Sequence, residues 1–282
     1  MDKLDKQRLD RAYSSYLAED YESAVQQLRD LAAITTNPWD KAELLYHEAM
    51  FLQEMGKVSD ARARVSELNI ALESLIGSPF DGSEFDVPVS LPVMARHADL
   101  KVSVKEGARL KALHQIEDLI ARYPRQLSLP QFRAMFEEVK TLRGVLLAEL
   151  GRWDEARSFL EDTAPPEVWR TYYNYYLGLC YYELGNFQRA REQLSEAIEP
   201  GLTSSWVAKA HFILGLVEYR LSDMKAAKHQ FELCVSSLDQ RYIEVAEVWR
   251  GLEETSRALG LHAEAENYQR LRIGLKSDSK VN

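Results

Sequence analysis

A short phrase recurs seven times along this chain, and no other feature limits its fold as strongly. Leu150-Gly151-Arg152-Trp153-Asp154-Glu155-Ala156 matches Leu184-Gly185-Asn186-Phe187-Gln188-Arg189-Ala190: a leucine, a glycine, an aromatic ring two positions on and an alanine three beyond that. Gly151 and Gly185 stand 34 residues apart. Further copies run from Ala18 to Ala24, Met55 to Ala61, Glu106 to Ala112, Leu221 to Ala227 and Leu259 to Ala265. Every copy ends in alanine. The turn slot holds Gly56, Gly107, Gly151, Gly185 and Gly260, with Glu19 and Ser222 in the other two. Glycine is expected there because a helix that ends in a left-handed residue favours the side chain that offers no resistance to positive φ. A fixed period of this length marks an array whose units bury their cores against one another.

The residues flanking each turn say what the units are. Upstream of Gly185, Tyr173, Leu177, Cys180, Tyr181 and Leu184 keep helical spacing; downstream, Phe187, Ala190, Leu194 and Ala197 do the same. Each half is therefore an amphipathic helix with one buried stripe, and two joined by a short turn form a helical hairpin. The alanine of the second helix belongs where its partner helix comes closest.

These residues resemble the tetratricopeptide repeat family. The fullest match is Leu177-Gly178, Tyr181, Ala190, Leu194 and Ala197; the next offers Leu214-Gly215, Ala227 and Phe231, with Glu218 in place of tyrosine, and Gly144, Ala156 and Leu160 mark the one before. Ala49 and Ala12 occupy the small position of the first helix in two earlier copies, and Leu100 does so in the copy around Ala112. The last copy has Trp249, Leu252 and Ala265, while Glu253, Gln269 and Arg272 give it the polar character of a terminal cap. The resemblance implies an all-α, right-handed superhelical solenoid of about seven hairpins. As 34-residue windows these are 5–38, 42–75, 93–126, 137–170, 171–204, 208–241 and 246–279, in a single array over 1–282.

Two interruptions stand out. Residues 76–92 hold three prolines and read as a long loop, with Phe80 and Phe85 to pin it to the helices. Its Asp81, Glu84 and Asp86 lack the calcium-loop spacing. In the second, Ser128-Leu129-Pro130-Gln131 has the form of a capping box, so the following helix is expected to start early.

Composition excludes more than it identifies. Lys+Arg 35 against Asp+Glu 44 leaves a formal charge of −9, which argues against direct nucleic-acid binding. Cys180 and Cys234 are too few and too far apart for a disulfide framework or a zinc module. The start, Met1-Asp2-Lys3-Leu4-Asp5-Lys6, lacks the apolar run of a signal peptide, and no segment is apolar enough to span a membrane, so a cytoplasmic location is expected. His47-Glu48 is followed at the required position by Phe51 rather than a second histidine, and no phosphate loop or nucleophile elbow occurs. No catalytic residue, metal ligand or cofactor is expected, and the chain reads as a non-enzyme.

What the resemblance implies about function lies in the first helices, which in this family line a concave groove that receives a peptide or protein segment. Projected onto this chain, that face carries Tyr172, Tyr175, Leu179 and Tyr182 in the fifth unit and Lys209, Phe212, Leu216, Tyr219 and Arg220 in the sixth, with Arg250 beyond. Toward the N-terminus it would show Tyr13, Tyr16, Tyr46, Met50 and Gln53. Aromatic rings give large contact area at low entropic cost. The family's chaperone-tail clamp is absent, since Thr141, Val145, Tyr176 and Ile213 stand where it needs polar or basic groups. The expected function is a noncatalytic scaffold or adaptor that binds protein or peptide, with homodimerisation compatible with the sequence. The alternatives are a ligand-sensing regulator acting on transcription and, third, an enzyme on a helical-repeat scaffold.

Overall fold

A computed structural model describes residues 3–75, 87–165, 169–198, 204–237 and 245–278. Among them every regular element is helical. In chain order these are α1 (Lys3–Leu17), α2 (Tyr21–Ile34), α3 (Pro38–Glu54), α4 (Val58–Leu75), α5 (Val87–Lys105), α6 (Arg109–Arg122), the single turn α7 (Pro124–Leu127) and a 3-10 turn Pro130–Phe132 that runs into α8 (Arg133–Glu149). Then follow α9 (Trp153–Glu161), α10 (Arg170–Glu183), α11 (Phe187–Ile198), α12 (Ser204–Arg220), α13 (Met224–Ser237), α14 (Val245–Ala258) and α15 (His262–Asp278). The chain forms two compact units, Met1–Val139 and Lys140–Asn282.

Seven hairpin turns share one hydrogen-bonding scheme, and it explains the recurring phrase. All seven turn-slot residues have positive φ, between 61° at Glu19 and 77° at Gly185. At Gly185 the amide donates to the Tyr182 carbonyl at 3.0 Å, and the next amide, Asn186, reaches back to the Tyr181 carbonyl at 2.8 Å. That pair satisfies carbonyls the helix end would otherwise leave without donors. Asn186 then accepts the first backbone bond of the following helix from Ala190. The same three bonds recur at Glu19, Gly56, Gly107, Gly151, Ser222 and Gly260, so the residue after the turn closes one helix and opens the next. Where that residue is Asp20, Asn186 or Asp223, its side chain also accepts an amide from the new helix.

Ser222 holds φ 63° against the resistance of its own Cβ. Replacing it with glycine should raise stability by about 0.5–1 kcal/mol, the relief of left-handed strain less the added freedom of the unfolded chain. A urea titration in which Ser222→Gly shifts the midpoint downward would contradict this.

The phrase-ending alanines Ala24, Ala61, Ala112, Ala156, Ala190 and Ala227 are all fully buried, and Ala265 nearly so. Glycines on the facing helices let large side chains through. A Cβ on Gly144 would lie 2.6 Å from Leu160, and one on Gly178 would lie 2.7 Å from Leu194. Phe231 of α13 fills the corresponding space beneath Gly215 of α12 and also meets Gly251 of α14 on its other ring edge.

The interruptions differ from expectation. Of the loop read at 76–92, residues 76–86, with Phe80, Phe85 and the three acids, lie outside the described residues; 87–92 are not loop but the opening turns of α5. Pro88 falls in the first turn, where a missing N–H costs nothing. Pro92 sits further in and forgoes one backbone bond, between fully buried Leu91 and Val93. Ser128 does not act as a capping-box residue. Its hydroxyl donates backward to the Arg125 carbonyl at 2.6 Å, and Leu129 precedes the 3-10 turn with no side-chain cap. α8 nevertheless begins early. In the last hairpin Glu253, read from sequence as part of a polar cap, is buried and pairs with Arg272 at 2.9 Å and Arg257 at 2.7 Å.

Candidate functional site

In the second unit, α10 and α12 bring a set of aromatic side chains together around Trp206. Tyr172 and Tyr175 stand edge-on to its ring at centroid distances of 5.1 Å each, and Tyr176 is tilted against it at 5.9 Å. Trp169, just before α10, adjoins Tyr172 at 6.3 Å. The Lys209 ammonium lies over the Trp206 ring, 4.7 Å from its centroid, one turn further along α12. Edge-to-face rings and a cation above an indole face are favourable arrangements of the aromatic quadrupole.

The spacing on α10 produces this grouping. Residues 172, 175 and 176 share one face of the helix, and the period that buries Leu177, Cys180 and Tyr181 inside the hairpin turns that face toward α12. Tyr175 and Tyr176 are buried, whereas Tyr172, Trp206 and Lys209 are half-buried. The Tyr176 hydroxyl donates to Glu149 at 2.8 Å. Among the described residues the Tyr172 hydroxyl makes no hydrogen bond and Lys209 makes no ion pair, so the half-buried rim of the cluster keeps its polar groups uncommitted.

The residues expected from sequence fall into three sets. Tyr172, Tyr175 and Lys209 meet at Trp206. Phe212, Leu216 and Tyr219 continue along α12 and pack partly against the core formed by Ala208, Phe231 and Leu252, so much of their apolar area is already covered. Leu179 is half-buried and Arg220 is exposed. Tyr182 turns away from the cluster to pack against Phe187 at 6.0 Å. Arg250 is held at the surface by Glu254 at 3.0 Å and Glu247 at 3.8 Å. Trp206, the centre of the group, fell outside the expected set because the sixth window opens at 208, whereas α12 starts at Ser204.

The first unit carries its own aromatic and polar cluster. Tyr16 stacks on Phe51 at 4.4 Å, and the Tyr13 hydroxyl meets His47 Nδ1 at 2.6 Å. Burial, with Glu43 and Tyr16 nearby, pushes the Tyr13 phenol up to about 12. Burial also raises Tyr46 well above the ordinary phenol range. Gln53, expected on this face, is instead buried at 1% exposure. Beyond Tyr46, Glu138 lies 3.3 Å from both His97 Nε2 and Lys101 Nζ. Burial alone would raise the Glu138 carboxyl, but those two neighbours outweigh it and bring it down to about 2.

Cys180 and Cys234 are buried and in no disulfide, and desolvation raises the Cys180 thiol to about 12, far from a reactive thiolate. Among the described residues no group of His, Cys, Asp and Glu has the arrangement of a metal site, and no helix is long and apolar enough to cross a membrane.

Comparison with known proteins agrees with this architecture. Residues 171–199, which hold all but the first residue of α10 and the whole of α11, match the family model described as tetratricopeptide repeat. No curated protein matches the sequence. Among solved structures, the apo form of RapI is similar over 98% of this chain and 77% of its own, at 12% identity and a TM-score of 0.60. The pilF protein of Pseudomonas aeruginosa is similar over 84% of this chain and 95% of its own, at 15% identity and 0.58. A tetratricopeptide repeat protein from Parabacteroides merdae is similar over 97% and 94%, at 12% and 0.55. At such identities the likeness is one of fold, the all-α helical-repeat class. The family match over 171–199, the repeat phrase and the fold together show a chain built as an all-α array of tetratricopeptide-like helical hairpins.

Proposed function

We propose that this protein is a noncatalytic interaction scaffold whose second unit binds a peptide or protein segment across α10 and α12. The observation that carries the reading is the Trp206 cluster: an indole flanked by three tyrosines, half-exposed, with the unpaired Lys209 ammonium on its face. Tryptophan and tyrosine dominate binding hot spots because they bury large area while losing few torsions. Lys209 and Arg220, on one helix and without ion pairs among the described residues, would set the orientation of the bound segment rather than supply most of its affinity. The sequence-expected residues Leu179, Phe212, Leu216 and Tyr219 would extend this surface; Tyr182 contributes to the hairpin instead.

The test starts from peptides selected for binding the full chain from a random library. Trp206→Ala should weaken the selected peptides by about 2 kcal/mol, roughly thirtyfold, and Lys209→Glu by less. Calorimetric titration reads both. Affinities that survive Trp206→Ala in a protein whose helicity and unfolding midpoint are unchanged would place binding elsewhere.

A further inference from the structure

The joints between successive hairpins in the first unit follow a rule of charge. The second helix of one hairpin packs against the first helix of the next, as α2 does on α3 and α4 on α5. At both joints an arginine from the second helix meets a carboxylate eight residues before the left-handed turn residue: Arg29 on Glu48, before Gly56, at 2.7 Å, and Arg62 on Asp99, before Gly107. The acceptors are shielded, with side-chain exposures of 6% and 16%. In α1 the same register, eight residues before Glu19, is occupied by Arg11. The sign is inverted at the one first helix of this unit that has no described helix packed before it.

Beside Arg11 the surface is open. Arg8, Arg11, Ser14 and Ser15 of α1 and Gln27, Asp30, Leu31 and Ile34 of α2 line a groove of about 690 Å³. Ile34 at its end is 54% exposed, an apolar side chain left in water. The Gln27 side chain donates to Ser15 at 3.0 Å, while its carbonyl oxygen is buried with no partner. Among the described residues Arg11 makes no ion pair. Each lining segment spans two helical turns, about 10 Å of helix, so the groove suits another helix lying alongside.

We propose that this groove docks an amphipathic helix of another protein, its apolar stripe on the exposed Ile34, above the buried Leu31 of the groove floor, and a carboxylate on Arg11. Continuity with the internal joints argues for a helix, and the inverted sign selects its chemistry. A helix of the α2 or α4 kind from a second copy would set arginine against arginine, whereas an acidic helix supplies the missing counter-charge.

Two fluorescein-labelled helical peptides test this, both with leucines at i, i+3, i+4 and i+7, one flanked by glutamates and the other by lysines. Anisotropy with the full chain should show binding of the acidic peptide only. Arg11→Glu should weaken the acidic peptide about tenfold and turn the preference to the basic one, since reversal of a complementary pair exchanges attraction for repulsion. Ile34→Asp should weaken the acidic peptide without that exchange. Arg11 and Ile34 are exposed, and unchanged circular dichroism establishes that the variants fold. Binding of neither peptide, equal binding of both, or a preference that ignores Arg11→Glu overturns the proposal. Concentration-dependent self-association in sedimentation that Arg11→Glu abolishes would also overturn it, by assigning the groove to a second copy.

Discussion

Truncating Phe231 to alanine is expected to cost about 3–5 kcal/mol, the largest single loss in the second unit. Its ring is 1% exposed and sits in a core with Ala208, Ala227, Cys234, Val248 and Leu252. More telling is how it is held. A Cβ on Gly215 would lie 2.6 Å from Phe231 Cε1, and a Cβ on Gly251 would lie 2.6 Å from Cε2. The ring is thus clamped between its own hairpin and the next, and it cannot retreat from one glycine without meeting the other. Gly251→Ala is therefore expected to destabilise by about 1–2 kcal/mol, overpacking that exceeds the helix-propensity gain of alanine. Phe231→Leu should partly rescue Gly251→Ala, because the shorter side chain vacates the space the new methyl needs. Urea midpoints of the two single variants and the double variant measure the coupling. Strict additivity would mean that the ring and Gly251 do not share that space.

Glu138→Gln is expected to cost about 1–3 kcal/mol at neutral pH, the scale of a charge-assisted interaction, and the cost should disappear in acid. His97 and Lys101 stabilise the ionised carboxyl enough to bring it from its ordinary 4.5 to about 2 despite burial. A carboxyl depressed in the folded state contributes stability that is fully present above its unfolded value and is lost as pH falls through the folded value. The wild type should therefore lose this contribution between about pH 4.5 and pH 2, while the glutamine variant, which has no carboxyl there, should not. Glu138 faces His97 and Lys101 of α5, and Lys101 is shared with Glu54 of α3 at 3.8 Å. Unfolding free energies of both proteins from pH 7 to pH 2 decide the matter: the curves should converge at the acid end. A gap that stays constant with pH would mean the glutamine loses packing rather than charge.

Much of the local structure was legible because its causes are local. Glu19 and Ser222 illustrate this, since nothing about either residue favours positive φ, yet their place in the repeated phrase identified them as turn residues and both adopt it. The hydrogen bonds that enforce the turn lie within a few residues on either side. The candidate site was legible only in part. The family resemblance put Tyr172, Tyr175, Leu179 and Tyr182 on one face of one helix, but whether a ring meets a partner hairpin, a turn or open solvent depends on residues outside that helix. Tyr182 met Phe187, and Tyr175 was covered by Trp206. A sequence period shows which way a side chain points and is silent about what already occupies that direction.

The sequence by itself determined an array of amphipathic hairpins, the seven left-handed turns and the alanines at the helix crossings, because backbone strain and helical periodicity act over a few residues and repeat with the phrase. The tertiary structure alone decided which aromatic rings gather at Trp206, that Phe231 is clamped by a glycine from the following hairpin, that Glu253 turns inward to Arg272, and that Arg11 stands where its counterparts are carboxylates paired with arginine. Those outcomes depend on contacts between segments far apart in the chain, where burial, shape and charge are settled by whichever neighbour arrives.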